Sequence, residues 1–413
     1  MPARPRGLSR RDFLRRAGGA ALAVPSLGAI LAACAKPGGL PEGTVLVPPA
    51  RKENPTELPV FQDPIPTDTP IETGATLQVY NWDDYMFKRV LREFEEQYGV
   101  TVEWTAFNNM EEAISKIRTG QIQADVFFPT VDYLARLNEA KLMQPLNHEL
   151  IPNMEQNVWP QFLDPFYDLG WRYSVPYVLY TTGIGYRRDH IDDAEVAEKG
   201  YGILWDPAYS GKVGFYDSYR DAIGMALLQN GVTDLNTGDA QEINDAKDAL
   251  LELLDATGAQ ITINGAYAKL PEDQFWLHQA WSGDIVGAQY YLPKGVETDV
   301  LGYWYPEDRV GAFFNDLLVI PTTSQNPRLA HEFINFFLDE KWGYINFASW
   351  NGYQPPFTTI KPSQLIEDGA VPATVPSAIL TKSDYVTGLP LLELEPDVDQ
   401  LWLDAWDEVT VGG

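Results

Sequence analysis

Cysteine is nearly missing: Cys34 is the single one in 413 residues, which excludes a disulfide scaffold within the chain and any multi-cysteine zinc site. Histidine is sparse as well. His148, His190, His278 and His331 are scattered, with no two at metal-ligand spacing. His331-Glu332-Phe333-Ile334-Asn335 falls one ligand short of a zinc-protease helix, and His331 is expected on a helix surface. Gly183-Ile184-Gly185 opens like a dinucleotide loop, but Arg188 stands where the third glycine belongs. Neither a phosphate loop nor a G-x-S-x-G elbow occurs. No catalytic group, metal or cofactor is expected. Basic residues are the third shortage: 30 Lys and Arg against 58 Asp and Glu give a net charge of −28. Such a surface repels nucleic acid and anionic lipid, and favours cationic partners or simple solubility. A long hydrophobic run is also lacking. The stretch Ala17–Ala33 is rich in Gly and Ala and is interrupted by Pro25, too short and too weakly apolar for a comfortable membrane span.

What is there begins with an address. Ser9-Arg10-Arg11-Asp12-Phe13-Leu14 resembles the twin-arginine export signal, and Leu31-Ala32-Ala33-Cys34 resembles the bacterial lipobox. Together they imply a signal over residues 1–34, cleavage before Cys34, and a lipid on its sulfur that tethers the protein to a membrane outside the cytoplasm. Cleavage there would remove six arginines and one acid, leaving a net charge of −33. From Pro37 to Pro70 nine prolines stand among Thr, Glu and Gly. Proline fixes φ and removes a donor, so residues 35–74 are expected to form an extended, semi-rigid spacer.

Order is expected from Thr76. Leu77–Tyr80 alternates as a strand does. Asn81–Tyr85 is expected to turn into a helix in which Val90, Leu91, Phe94 and Tyr98 recur at helical spacing, capped by Gly99. A strand at Val100–Trp104, a helix at Glu111–Thr119 and an almost wholly apolar strand at Ala124–Phe128 follow. Strand and helix keep alternating, which predicts an α/β fold with crossover connections. The length exceeds what one hydrophobic core usually spans, so two lobes are expected.

Several segments resemble one family, the extracytoplasmic polyamine-binding receptors of ABC importers, of the spermidine/putrescine type. They are Val79-Tyr80-Asn81-Trp82 with Tyr85, Ala124–Thr130, Ser174–Tyr177, Leu204–Lys212, Asn315–Pro321 and Phe333–Leu338, in that order along the chain. The resemblance implies a two-lobed fold of the periplasmic-binding-protein type (type II) with a hinge and an interlobe cleft. Residues 75–180 with 315–361 would form one lobe, and 181–314 with 362–413 the other. It also implies a monomer that hands a small cationic solute to ABC permease subunits. A polyamine needs spaced carboxylates for its ammonium groups and aromatic faces for its methylenes. By resemblance the aromatic walls are Trp82, Tyr85, Tyr291, Phe314 and Tyr353, and Thr130 is a hydroxyl contact. Trp82 and Tyr85 are expected to aim their rings the same way from one helical turn. Asp132 replaces an aromatic of the family, Ser218 replaces the first of two acids, and Asp221 keeps the second. Asp221 could instead pair with Arg220 or cap a helix. Asp316 heads the apolar run Leu317–Ile320, so its carboxylate should be buried and in need of a cation. Glu393 and Glu395 are further candidates near the C-terminus.

Ser218 and Asp132 keep a rival open, the same fold binding a quaternary amine, an opine or an organophosphonate. A cell-surface hydrolase using two carboxylates, such as the adjacent Asp83 and Asp84, is the rival from another class.

Overall fold

The computed structural model describes residues 47–107 and 109–412, which fall in one compact unit. Cys34, the twin-arginine stretch and the start of the proline-rich segment lie outside the described residues. In chain order the elements that matter for the site are β1 (Thr76–Trp82), α1 (Lys88–Tyr98), β2 (Thr101–Phe107), α2 (Met110–Arg118), β3 (Val126–Phe127), α3 (Leu134–Glu139) and β4 (Val175–Arg187). Then come β5 (Val213–Phe215), α4 (Tyr219–Gln229), α5 (Ala240–Thr257), β6 (Gln260–Ile261), β7 (Leu277–Trp281) and α6 (Ser282–Gly287). The chain continues with β8 (Leu301–Trp304), β9 (Ala312–Leu318), α7 (Pro327–Phe337), β10 (Leu389–Pro390) and α8 (Pro396–Gly412).

Two sheets result. The first is parallel, in the order β2-β1-β3, as strands joined by crossover helices must be. The second runs β10-β9-β4-β7-β5-β6, with β8 also paired to β4. Its centre is β4, buried at all 13 positions, which requires the apolar run Val175–Ile184 to be covered on both faces. An antiparallel bridge from Phe127 to Val319, just past β9, joins the first sheet to the second. Helix α1 buries Val90, Leu91 and Phe94 and ends at Gly99, whose φ of 66° is the left-handed value that glycine tolerates best.

Packing gathers around two regions. One holds β1–β3 with α7: Phe94, Phe128, Tyr177, Phe333 and Phe337 pack together there. The other holds β5, α4, α5 and α8, with Phe215, Ile223, Leu250 and Trp402 at its centre. Strands β4 and β9 run through both, and they are the connections along which two lobes could hinge. Among the described residues, no helix is long and apolar enough to cross a membrane.

Two expectations need correction. His331 is fully buried in α7 rather than on its surface; its Nδ1 lies 2.6 Å from the Pro327 carbonyl oxygen and its Nε2 accepts the Asn147 N–H at 3.1 Å. The proline-rich segment is extended but not a free spacer. From Val47 onward it is stitched to the body. Leu58 is wholly buried, Thr56 bonds to Phe166 and Leu169 through its backbone, and the Pro59 carbonyl takes the Tyr173 hydroxyl at 2.8 Å. Glu72 caps α7 by accepting the N–H groups of Arg328 and Leu329. The apolar residues Val47, Ala50 and Leu58, set among the prolines, supply the contact that proline counting overlooks. Leu58→Ala should therefore weaken docking by about 2–4 kcal/mol and make residues 47–60 a site of native-state proteolysis. Equal cleavage of both proteins would mean that the segment is a free stalk.

Candidate functional site

The site is built where loops leave the carboxyl ends of strands, the usual place for ligands in α/β folds. Asp316 lies on β9 in a bridge with Thr130 and opposite Val178 of β4. Asp221 sits in the first turn of α4, just after β5, and Asp284 in the first turn of α6, just after β7. Asp132 follows Thr130 in the short turn that leads into α3.

Every hydrogen bond that the first three carboxylates receive from side chains comes from a neutral donor. Asp316 accepts Tyr85 Oη at 2.7 Å and Tyr180 Oη at 3.2 Å. Asp284 accepts Tyr353 Oη at 2.6 Å and Tyr216 Oη at 2.7 Å. Asp221 accepts Ser218 Oγ at 2.7 Å, Trp281 Nε1 at 3.0 Å and Thr182 Oγ1 at 3.2 Å. Arg220, next in sequence, turns away to the carbonyls of Leu392 and Leu235 and to Asn236 Oδ1. Arg136 spends its guanidinium on Glu393 and Asp399. Among the described residues, none of the four aspartates is in a salt bridge, and no three His, Cys or carboxylate side chains converge to hold a metal ion.

Burial without a cation shows in the protonation of these groups. Desolvation pushes Asp316 and Asp284 up to about 7, with nearby Asp132 and Asp221 adding to the rise at Asp316 and Asp221 at Asp284; the tyrosine hydroxyls oppose it. Asp221 and Asp132 are raised for the same first reason, burial. Both keep some accessible surface. Asp132 also borders a small open pocket, about 20 Å³, lined by Thr130, Phe314, Asn315 and Lys52 among others.

Aromatic rings surround the acids. Phe314 stacks on Tyr180 at 5.0 Å, Trp281 stacks on Tyr216 at 3.9 Å, and Tyr353 packs against Tyr85 at 4.9 Å. Gly283 is required beneath Tyr353, because a Cβ there would sit 2.3 Å from the ring.

The structure thus brings Tyr85, Thr130, Asp132, Ser218, Asp221, Phe314, Asp316 and Tyr353 together. Ser218 enters as the α4 cap that also bonds Asp221. Asn81 and Trp82 end β1 and Asp83–Asp84 form a turn, with Asp84 at φ 54°, where a helix was expected; Trp82 packs on Phe107 at 4.6 Å. Tyr291 is 37% exposed, with its hydroxyl 3.5 Å from Asp84. Glu393 is bound to Arg136 and Glu395 is exposed. Sequence reasoning missed Trp281, Asp284, Tyr180 and Tyr216. The signal for the first pair was present: Trp281-Ser282-Gly283-Asp284 leaves a buried strand and places an acid in a helix's first turn, as Ser218–Asp221 does.

Comparison with known proteins now has a site to bear on. Residues 89–373, more than half of the chain, match the family model of bacterial extracellular solute-binding proteins. The chain belongs to that family. It is a binding protein and not an enzyme, so the Asp83–Asp84 pair has no hydrolysis to perform. This solute-binding protein is 29% identical over 268 residues to the spermidine/putrescine-binding periplasmic protein of Escherichia coli K12, covering 65% of this chain and 74% of that one. It is 28% identical over 268 residues to a putrescine/cadaverine-binding protein of Pseudomonas aeruginosa, covering 64% and 74%. Among solved structures, a putative spermidine/putrescine ABC transporter protein from Listeria monocytogenes superposes with a TM-score of 0.70 at 25% identity, over 82% of this chain and 99% of that one. The fold is the α/β periplasmic-binding-protein fold.

The raised carboxyl of Asp316 has a measurable sign. An aspartate in the unfolded chain ionises near its ordinary 3.8, whereas Asp316 in the folded, ligand-free protein holds its proton to about 7. The folded state binds the extra proton between those values, so this group's contribution to stability falls as pH rises through the window. Asp316→Asn stays neutral throughout. Its stability relative to the parent protein should therefore rise between pH 5 and pH 8, by on the order of 2–3 kcal/mol in ligand-free melting or denaturant titration. A difference independent of pH would mean that Asp316 is already ionised and compensated.

Proposed function

We propose that this solute-binding protein captures a polyamine of the putrescine/spermidine type and delivers it to an ABC importer. One observation carries the reading: four buried or half-buried carboxylates, Asp132, Asp221, Asp284 and Asp316, converge among rings of Tyr, Trp and Phe, with no salt-bridge partner among the described residues. Uncompensated buried anions are costly, and a ligand that brings its own ammonium groups removes that cost. The flanking rings suit the methylenes between those groups and add cation–π attraction, about 0.5–2 kcal/mol each. An anionic solute would need arginine or lysine aimed at the same space, and Arg220 and Arg136 are engaged elsewhere. That weighs against an organophosphonate; a singly charged quaternary amine would leave most of the acids unmatched. The names of the Escherichia coli and Pseudomonas relatives support the same ligand class.

In this reading the residues that contact the amine are Asp316, Asp221 and Asp284, with Tyr85, Trp281, Phe314 and Tyr353 as walls and Asp132 at the edge. Closure of two lobes around the solute supplies retention, and ATP hydrolysis in a separate subunit supplies the energy of import. Calorimetric titration of the soluble chain with putrescine and spermidine should show binding. Asp316→Asn should lower affinity by roughly 30-fold or more, because removing one partner of a buried charge pair costs about 2–5 kcal/mol. Unchanged affinity in this variant, or heat only from betaines or phosphonates, would overturn the polyamine assignment.

The tether belongs to the same proposal. The sequence supports export by the twin-arginine route and lipidation at Cys34, and the docked segment from Val47 would leave only a short reach between lipid and body. Cys34→Ser should abolish incorporation of labelled fatty acid while leaving the protein folded, and replacing Arg10 and Arg11 together by Lys should block export. Label still entering the Cys34→Ser protein would show that the anchor lies elsewhere.

A further inference from the structure

Two arginines outside the acid cluster converge on one stretch of backbone. Arg136, on α3, reaches Glu393 Oε1 with Nε at 2.9 Å, and its Nη2 reaches Asp399 Oδ2 at 3.0 Å and the Leu394 carbonyl at 3.2 Å. All three side chains are nearly withdrawn from solvent, at 15%, 12% and 10% exposure. The second carboxylate oxygen of Asp399 accepts the Tyr219 hydroxyl at 2.7 Å. Arg51, from the docked N-terminal segment, donates both terminal nitrogens to the Glu393 carbonyl at 3.1 Å.

These bonds join the two packing regions. Leu134, Leu137, Val47 and Leu58 belong with Tyr80 and Phe127 of the first sheet. Leu391, Leu394 and Trp402, which flank Glu393 and Asp399, belong with Phe215 and Leu250. Each side also carries part of the acid cluster. Asp132 precedes α3 by one turn, and Tyr219 is two residues from Asp221 on α4. Any motion that separates the two regions must break the arginine contacts and rehydrate their charges.

We propose that Arg136, helped by Arg51, forms a clasp on Glu393–Asp399 that holds the cleft closed and sets how long a bound solute is retained. The N-terminal segment is then a working part of the receptor as well as its tether. A desolvated ion pair, here chiefly Arg136–Asp399 because burial raises the Glu393 carboxyl to about 8, adds little net stability when compared with apolar packing, but breaking it leaves buried charges alone, and such losses appear chiefly in dissociation. The clasp does not touch the solute, so Arg136 is a positioning residue.

This proposal rests on reading the cleft as a closable polyamine site, and its test keeps the two apart. The mature chain would be compared with Arg136→Met, Arg136→Lys and Glu393→Gln by stopped-flow fluorescence with putrescine and spermidine, and by small-angle scattering without ligand. Arg136→Met should speed dissociation by roughly tenfold or more, with association changed by less than about threefold. Glu393→Gln should act in the same direction more weakly, and Arg136→Lys should restore part of the retention. Ligand-free Arg136→Met should have the larger radius of gyration. If the parent protein binds neither amine, the polyamine reading fails, and scattering alone decides the clasp. Folded Arg136→Met and Glu393→Gln proteins with unchanged dissociation would overturn it, as would an unchanged radius where scattering decides; a purely structural role would lower the melting temperature and leave the off-rate untouched.

Discussion

Carboxylates taken out of water without cations constrain the rest of this molecule. Asp316 and Asp284 are held by pairs of tyrosine hydroxyls, and Asp221 by an indole, a serine and a threonine. Neutral donors satisfy the oxygens but do not cancel the charge. The protein can keep such a cluster only by leaving it partly protonated, by letting water in, or by admitting a cation. The first option is visible in carboxyls raised to about 7, and the last is the proposed function. The tyrosines, in turn, fix the surrounding architecture: Tyr85 comes from a turn, Tyr180 from β4, Tyr216 from the end of β5 and Tyr353 from a loop seated on Gly283.

Much of the fold could be read in the residues. The alternation of Leu77–Tyr80 in β1 and the apolar spacing of α1 have physical periods that local sequence carries, and Gly99 marks the helix end it caps. Asp316 was legible because an acid heading an apolar strand has no innocuous place to go. The helix expected at Asn81–Tyr85 was misread, because β1 runs on through Trp82 and Asp84 then takes a left-handed conformation. Trp281, at the end of the strand paired with β4, gives Asp221 an indole donor that the sequence reading did not name. Contacts such as Tyr180 with Asp316 depend on strand register, which no local pattern specifies. His331 looked exposed because a histidine's burial depends on a partner distant in sequence, here the Asn147 amide.

The docked N-terminal segment is part of the folded body. Prolines make it extended, and the apolar residues between them give it a surface to lie on. Lys52 donates to the carbonyls of Tyr385, Val386 and Gly388 at the end of a helix, where a cation is favoured, while Arg51 grips Glu393. The segment thus lies against the body beside the residues that join its packing regions.

The central claim is that an ammonium-bearing solute replaces protons in the acid cluster. Its most direct test is calorimetric titration with spermidine near pH 7 in buffers of different ionisation enthalpy. The account predicts that binding releases protons, so that the observed heat varies with the buffer, and that the release shrinks when Asp316 is replaced by asparagine. Tight binding with the same heat in every buffer would contradict it, since the carboxylates would then be ionised before the solute arrives.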